Sequence, residues 1–216
     1  MGNRERIIEE TLRLMNEHGA QSIGTTQIAE ALNISPGNLY YHFKNKEEII
    51  RILFDDVEKG LRDLITADIE IPISPARFAG FYSRSLEVVW DYRFFYGGLL
   101  QLLRKDEELA KRYRQVQAET IDGLEGLARQ FVKDGNMEKP RGRKGFRSVG
   151  LNTWLIWTNW IRYKQTMSPT QLVTREDLAE GVGQIFDVLT PYLDPDFERA
   201  ARRVLARELS AGSTDG

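Results

Sequence analysis

The sequence predicts an all-α protein: an N-terminal three-helix domain built on a helix-turn-helix, then a C-terminal helical domain, with roughly nine to ten helices in all. Three observations carry this. Apolar residues recur at helical spacing almost throughout, without convincing strand alternation. Three short helical segments crowd into the N-terminal stretch, the second and third separated by a tight turn. Pro72 and Pro75 then break the pattern, and longer amphipathic segments follow.

The first helix follows from Ile8, Leu12 and Met15, which fall at i, i+4 and i+7, and Gly19 is placed to end it. In "TTQIAEAL", Thr25 or Thr26 can cap a second helix with Ile28, Ala29 and Leu32 on its apolar side. Asn33 tolerates the left-handed turn that follows, Ile34 plugs the corner, and Ala29 is small enough for the second and third helices to cross closely. The third helix opens with Ser35 as cap and Pro36 at its first position, where a missing N–H costs nothing. Leu39 and Phe43 face inward. "KNKEEIIRILFDDVEKGLRDLI" reads as a longer amphipathic helix. Ser74 and Pro75 start the next, and further helices are expected over 75–90, 93–104, 106–133, 146–166, 174–191 and 195–209. Gly97–Gly98 suggests a kink or open space in the second of these. "KDGNMEKPRGRKG" reads as a loop whose basic side chains are solvated. The expected domains are 1–47, 48–209 and a disordered tail, 210–216.

Composition closes off several chemistries. The chain has 216 residues, no cysteine and two histidines. Thiolate metal sites, disulfides, iron–sulfur clusters and cysteine nucleophiles are excluded, and a multi-histidine metal site is not supported. No catalytic residue, metal or cofactor is expected. The charged N-terminus has no apolar signal core. The most apolar later stretch, "VGLNTWLIWTNWI", is too short and too interrupted for a span, which needs about 20 apolar residues. A cytoplasmic protein with no membrane partner is expected.

Residues 1–50 hold five basic and seven acidic side chains, a net of −2, which argues against a generally basic DNA-binding domain. The charge argument is local. No acid occurs from Ala31 to Lys46, and Lys44 and Lys46 close that run. Hydroxyls of Thr25, Thr26, Ser35, Tyr40 and Tyr41, together with helix N-termini, suit phosphate contacts. Gly37 permits close approach, and Asn38 has the chemistry to read a base edge.

The segment "IGTTQIAEALNISPGNLYYHFKNKEEII" resembles the TetR/AcrR family of bacterial repressors over roughly residues 4–50. One departure is Asn33, where the family often has glycine. Another is Pro36–Gly37–Asn38 at the reading positions. The resemblance implies a DNA-binding domain joined through a fourth helix to an all-α ligand-binding and dimerisation domain. It implies phosphate contacts from Thr25, Tyr40, Tyr41, His42 and Lys46, and base contacts from Ser35, Pro36, Gly37 and Asn38. With Thr26, Gln27 and Lys44 these make up the expected DNA-binding set. Packing within the headpiece is the competing reading for His42.

For the C-terminal part, an effector pocket is expected among Phe78, Phe81, Tyr82, Trp90, Phe94, Phe95, Leu99, Leu103, Tyr113, Trp154 and Trp157, with Arg84 or Arg93 available to an acidic group. The helix around 146–166 is apolar nearly all round and is expected to be buried on more than one side. With the helix after it, it is expected to form a homodimer interface through Trp160, Leu178, Val182, Ile185, Phe186 and Leu189. The expected function is a regulator released from a palindromic double-stranded operator by a small apolar or amphipathic effector. The alternatives are an all-α enzyme and an effector-independent DNA-binding protein.

Overall fold

A computed structural model describes residues 2–66, 72–168 and 172–212. The described residues form ten helices: α1 (Asn3–His18), α2 (Thr25–Ala31), α3 (Pro36–His42), α4 (Lys46–Thr66), α5 (Pro75–Asp91), α6 (Arg93–Lys105), α7 (Glu107–Lys133), α8 (Gly145–Met167), α9 (Arg175–Leu189) and α10 (Pro195–Gly212). The only β-pairing among them is a single bridge between Met137 and Leu193. They divide into two compact units, Met1–Lys59 with Asp91–Arg114, and Gly60–Trp90 with Gln115–Gly216.

In the first unit, α1 buries Ile7, Thr11, Leu14 and Met15, while Ile8 and Leu12 are only half-buried. The inward face is therefore rotated from the one that Ile8, Leu12 and Met15 suggest. A threonine inside it breaks the apolar pattern, and its hydroxyl is satisfied by donating to the Ile7 carbonyl at 2.6 Å. Asn16 ties α1 to the start of α6: its amide donates to the Asp91 carbonyl at 2.7 Å, and its Oδ1 accepts from the Phe94 N–H at 3.0 Å. That N–H is one of the amides a helix start leaves without an intrahelical partner. Phe54 stacks on Phe95 at 5.1 Å, and Phe95 lies 6.0 Å from Tyr113. Arg51 pairs with buried Asp106 at 2.7 Å, and Asp106 Oδ1 accepts from the Leu109 N–H at 3.0 Å in the first turn of α7. Helix α6 runs unbroken through Gly97–Gly98, and a Cβ on Gly98 would meet only the Leu102 side chain, at 3.9 Å, so there is open space beside that glycine as expected.

In the second unit, Phe78 is the hub of an aromatic cluster, with Tyr82 and Phe131 at 5.0 Å, Phe186 at 5.1 Å and Phe197 at 5.6 Å. Each such ring buries enough apolar area to stabilise by about 2 kcal/mol. Helices α8 and α9 pack at close range: a Cβ on Gly181 would lie 2.6 Å from the Trp160 ring. Trp160 Nε1 donates to the Asp177 carbonyl at 2.6 Å, and Lys164 pairs with Asp177 at 2.8 Å. The α7–α8 loop is pinned where Glu138 N donates to Tyr192 O and Asp194 N to Asn136 O, at 2.6 and 2.9 Å. Its cations Lys139, Arg141, Arg143 and Lys144 are exposed.

Helix α8 is buried on more than one side, as expected, through Val149, Gly150, Thr153, Trp154, Trp157, Thr158 and Ile161, while Leu151 and Leu155 are 38% and 47% exposed. Helix α10 continues through Ser210 to Gly212, three residues into the expected tail. The rest of that tail, 213–216, lies outside the described residues.

Candidate nucleic-acid interface and ligand cleft

The turn before α3 is set by Asn33, with φ +53°, the one left-handed non-glycine among the described residues. Ile34 N donates to Ala29 O and Asn33 N to Glu30 O, both at 3.0 Å, a paired pattern that satisfies the end of α2. Ser35 Oγ accepts from Asn38 N at 3.1 Å, and Pro36 occupies the first position of α3. Ala29 is 1%, Leu39 0% and Phe43 1% exposed, so the inward set holds the helix firmly. The opposite face stays open: Tyr41 is 84% and Tyr40 53% exposed, and Ser35, Pro36, Gly37 and Lys44 are exposed beside them.

Several expected contacts are placed differently. Neither Thr25 nor Thr26 caps α2; Gly24 occupies that position and its N–H donates to Gln27 Oε1 at 3.0 Å. Gln27 thus spends its carbonyl on the helix start. Thr25 Oγ1 lies 3.1 Å from the Tyr40 hydroxyl, coupling two expected phosphate ligands, and Thr26 is exposed. Asn38 is half-buried, with Oδ1 shielded and unpartnered among the described residues. Its two-point pattern toward adenine therefore requires the side chain to turn. His42 is half-buried with its ring edge-on to Tyr41 at 5.1 Å. Arg4, outside the expected set, carries its guanidinium over the Phe43 ring at 5.3 Å, beside the end of α3.

Lys46 is the largest departure. Its ammonium donates to the carbonyls of Ala20 and Ile23, at 2.7 and 2.6 Å, and clamps the α1–α2 loop to the start of α4. Burial, with the nearby Lys105 charge, holds its pKa below the ordinary lysine range. Placed this way, Lys46 orders the headpiece and does not turn its charge to the open face.

In the second unit, a cleft encloses about 610 Å³, its solvent-open mouth included. Phe78, Phe81 and Tyr82 line it as expected, joined by Leu64 of α4, Leu124, Leu127 and Phe131 of α7, and Val149 and Thr153 of α8. The Tyr82 hydroxyl is hydrogen-bonded to Thr153 inside the cleft, and burial pushes its pKa up. Arg77 is the one charged side chain among the described lining residues, the role sequence reasoning gave to Arg84 or Arg93.

The other expected pocket residues do not line this cleft. Phe94, Phe95, Leu99 and Tyr113 are buried in the first unit, and Leu103 is half-buried there. Trp90 lies under the Arg175 guanidinium at 5.1 Å, and Trp154 is 1% exposed. Trp157 lines a separate small cavity. The aliphatic lining from α4 and α7 had no aromatic signal to mark it in the sequence. Among the expected interface residues, Leu178, Val182, Ile185, Phe186 and Leu189 are at most 5% exposed within the single chain, and Trp160 packs on Gly181. They form an intrachain core. The apolar side chains left open on α8 and α9 include Leu151, Leu155, Tyr163, Met167 and Val188.

Residues 7–52 match the family model for bacterial regulatory proteins of the tetR family, and residues 58–200 match its bacterial transcriptional repressor model. The headpiece is similar to the HTH-type transcriptional regulator SAB2452 of Staphylococcus aureus, 38% identical over 64 residues, 30% of this chain and 33% of that protein. It is also similar to the class D tetracycline repressor of Escherichia coli, 39% identical over 51 residues, 24% of this chain and 23% of that protein. The matches thus span a third or less of these relatives. A TetR-family regulator structure from Marinobacter aquaeolei VT8 superposes with a TM-score of 0.82 at 31% identity, covering 96% of this chain and 98% of that one. No described helix is long and apolar enough to cross a membrane. With a matched repressor model spanning most of the chain after a matched headpiece, and a relative aligned end to end, the chain belongs to the TetR family of bacterial transcriptional repressors.

Proposed function

We infer that the chain is a ligand-responsive repressor that binds a palindromic double-stranded operator as a homodimer and leaves it when a small effector fills the cleft. The observation that carries this reading is the two-sidedness of α3. Leu39 and Phe43 are wholly committed to the core, while Tyr40, Tyr41, Gly37 and Lys44 stand open on the far side. A short helix with an anchored back and a hydroxyl-rich, acid-free front suits a major groove. The tyrosine hydroxyls, Thr25 and Lys44 hold phosphates, and the Ser35–Asn38 end meets the bases.

Dimerisation is supported by the open apolar side chains Leu151, Leu155 and Val188 and by the empty space beside Gly183. It would set the spacing of two headpieces. Helix α4 starts at the Lys46 clamp and contributes Leu64 to the cleft, so one helix carries both features. An effector acts through its differential affinity for the headpiece spacings the dimer samples.

The test is duplex binding by a Tyr40→Ala/Tyr41→Ala/Lys44→Ala variant, followed by fluorescence anisotropy. The expected result is a loss of at least about tenfold on every duplex, with an unchanged circular dichroism spectrum. Wild-type affinity in the variant would overturn the assignment of this face.

A further inference from the structure

The second unit contains another hollow, of about 260 Å³ with its solvent-open mouth included, lined by Leu86 and Val89 of α5, Trp157 and Trp160 of α8, and Leu178, Gly181, Val182 and Ile185 of α9. Its position relative to the larger cleft follows from the helices that line both. Tyr82 to Leu86 on α5 and Thr153 to Trp157 on α8 are each four residues, as is Leu189 back to Ile185 on α9. Each is one helical turn, about 6 Å along the axis. The two hollows thus follow one another along the same three-helix seam, with the Tyr82–Thr153 hydrogen bond at the junction.

The two ends differ chemically. The larger cleft contains Arg77, in the first turn of α5, where the helix N-terminus adds to its positive potential. The smaller hollow is apolar except for indole N–H groups. Trp160 Nε1 is already spent on the Asp177 carbonyl. Trp157 is 7% exposed, and its Nε1 has no partner among the described residues. A buried donor left unmet is costly and is normally satisfied.

We propose that the two hollows are two chambers of one channel for an elongated ligand: a carboxylate held at Arg77, a slender apolar chain passing Tyr82 and Thr153, and a neutral oxygen acceptor meeting Trp157 Nε1. This rests on the reading of the cleft as an effector site and adds the ligand's shape and polarity. From Arg77 to Val89 along α5 is twelve residues, about 18 Å, so the channel suits a long chain. Passage at the junction requires the Tyr82 ring, packed edge-on to Phe78, Phe81 and Phe186, to turn aside.

The test measures direct binding by calorimetry to the full chain, with three probes: hexanoic acid, tetradecanoic acid and ω-hydroxytetradecanoic acid. The expected order has both long acids well above hexanoic acid, with the hydroxylated one about fivefold tighter than the plain one. Trp157→Phe keeps the ring shape and removes the donor, so it should erase that fivefold preference while the plain acid binds as before. Val89→Phe, which fills the smaller chamber, should weaken the long acids at least tenfold and leave hexanoic acid unchanged. Equal binding of short and long acids, or a hydroxyl preference that survives Trp157→Phe, overturns the two-chamber channel while leaving the cleft an effector site. No binding of any probe overturns the carboxylate assignment; release of operator DNA by some other cleft-binding compound would show that the repressor reading survives it.

Discussion

Lys46 and Lys44 lie two residues apart in a run without acids, yet they do different work. Lys44 is exposed, and as a phosphate ligand it should contribute one released counterion. Lys44→Ala should therefore reduce the salt slope of duplex binding by about one. Lys46 is clamped on the carbonyls of Ala20 and Ile23. Lys46→Met should leave that slope unchanged and lower headpiece stability by about 2 kcal/mol, read from urea midpoints, because two acceptors lose a charged donor. Sequence pattern put both lysines at the duplex, since spacing reports that a cation is near an interface but not which atoms it has already satisfied. Asn33 is the opposite case. Its tolerance of positive φ was legible, and the structure places it at +53°. Asn33→Val should cost about 1–2 kcal/mol, whereas Asn33→Gly should be nearly neutral.

Among the elements, helix positions were read well because long amphipathic periods and the Ser35–Pro36 and Ser74–Pro75 starts are strong local signals. Which face of a helix meets which neighbour was read poorly for α1 and α9. Thr11 hides an inward position behind a hydroxyl that its own helix satisfies, and the apolar stripe of α9 fits an intrachain core as well as a partner chain. The distinction is testable. Phe186→Ala should unfold more readily by about 3–5 kcal/mol, as for a buried ring. Leu155→Arg with Val188→Arg should leave the helical signal intact and shift the chain to monomer in sedimentation, and dimers persisting in that variant would contradict the α8–α9 face. The start of α9 adds a pH dependence. Asp177 is held below the ordinary aspartate range, first by its hydrogen bond to Lys164 and then by Thr174. Its stabilising contribution is complete above the ordinary aspartate value and is lost as pH falls through its lowered folded value. Urea midpoints against pH should show a shallower acid limb for Asp177→Asn.

For the molecule as a whole, the headpiece announced itself because DNA recognition by a short helix demands a tight local order of cap, turn, anchors and open side chains, all within one stretch of sequence. The cleft did not, because its walls come from α4, α5, α7, α8 and α9, and its aliphatic members look like any core. Aromatic residues drew attention to Phe94, Phe95 and Trp154, which are packed solid. The repressor reading requires two copies of α3 to read one operator together. Selection of bound duplexes from a random library should enrich an inverted repeat whose half-site centres are about one helical turn, or a multiple of it, apart. Failure to enrich any duplex, or enrichment of a single site without two-fold symmetry, would contradict it.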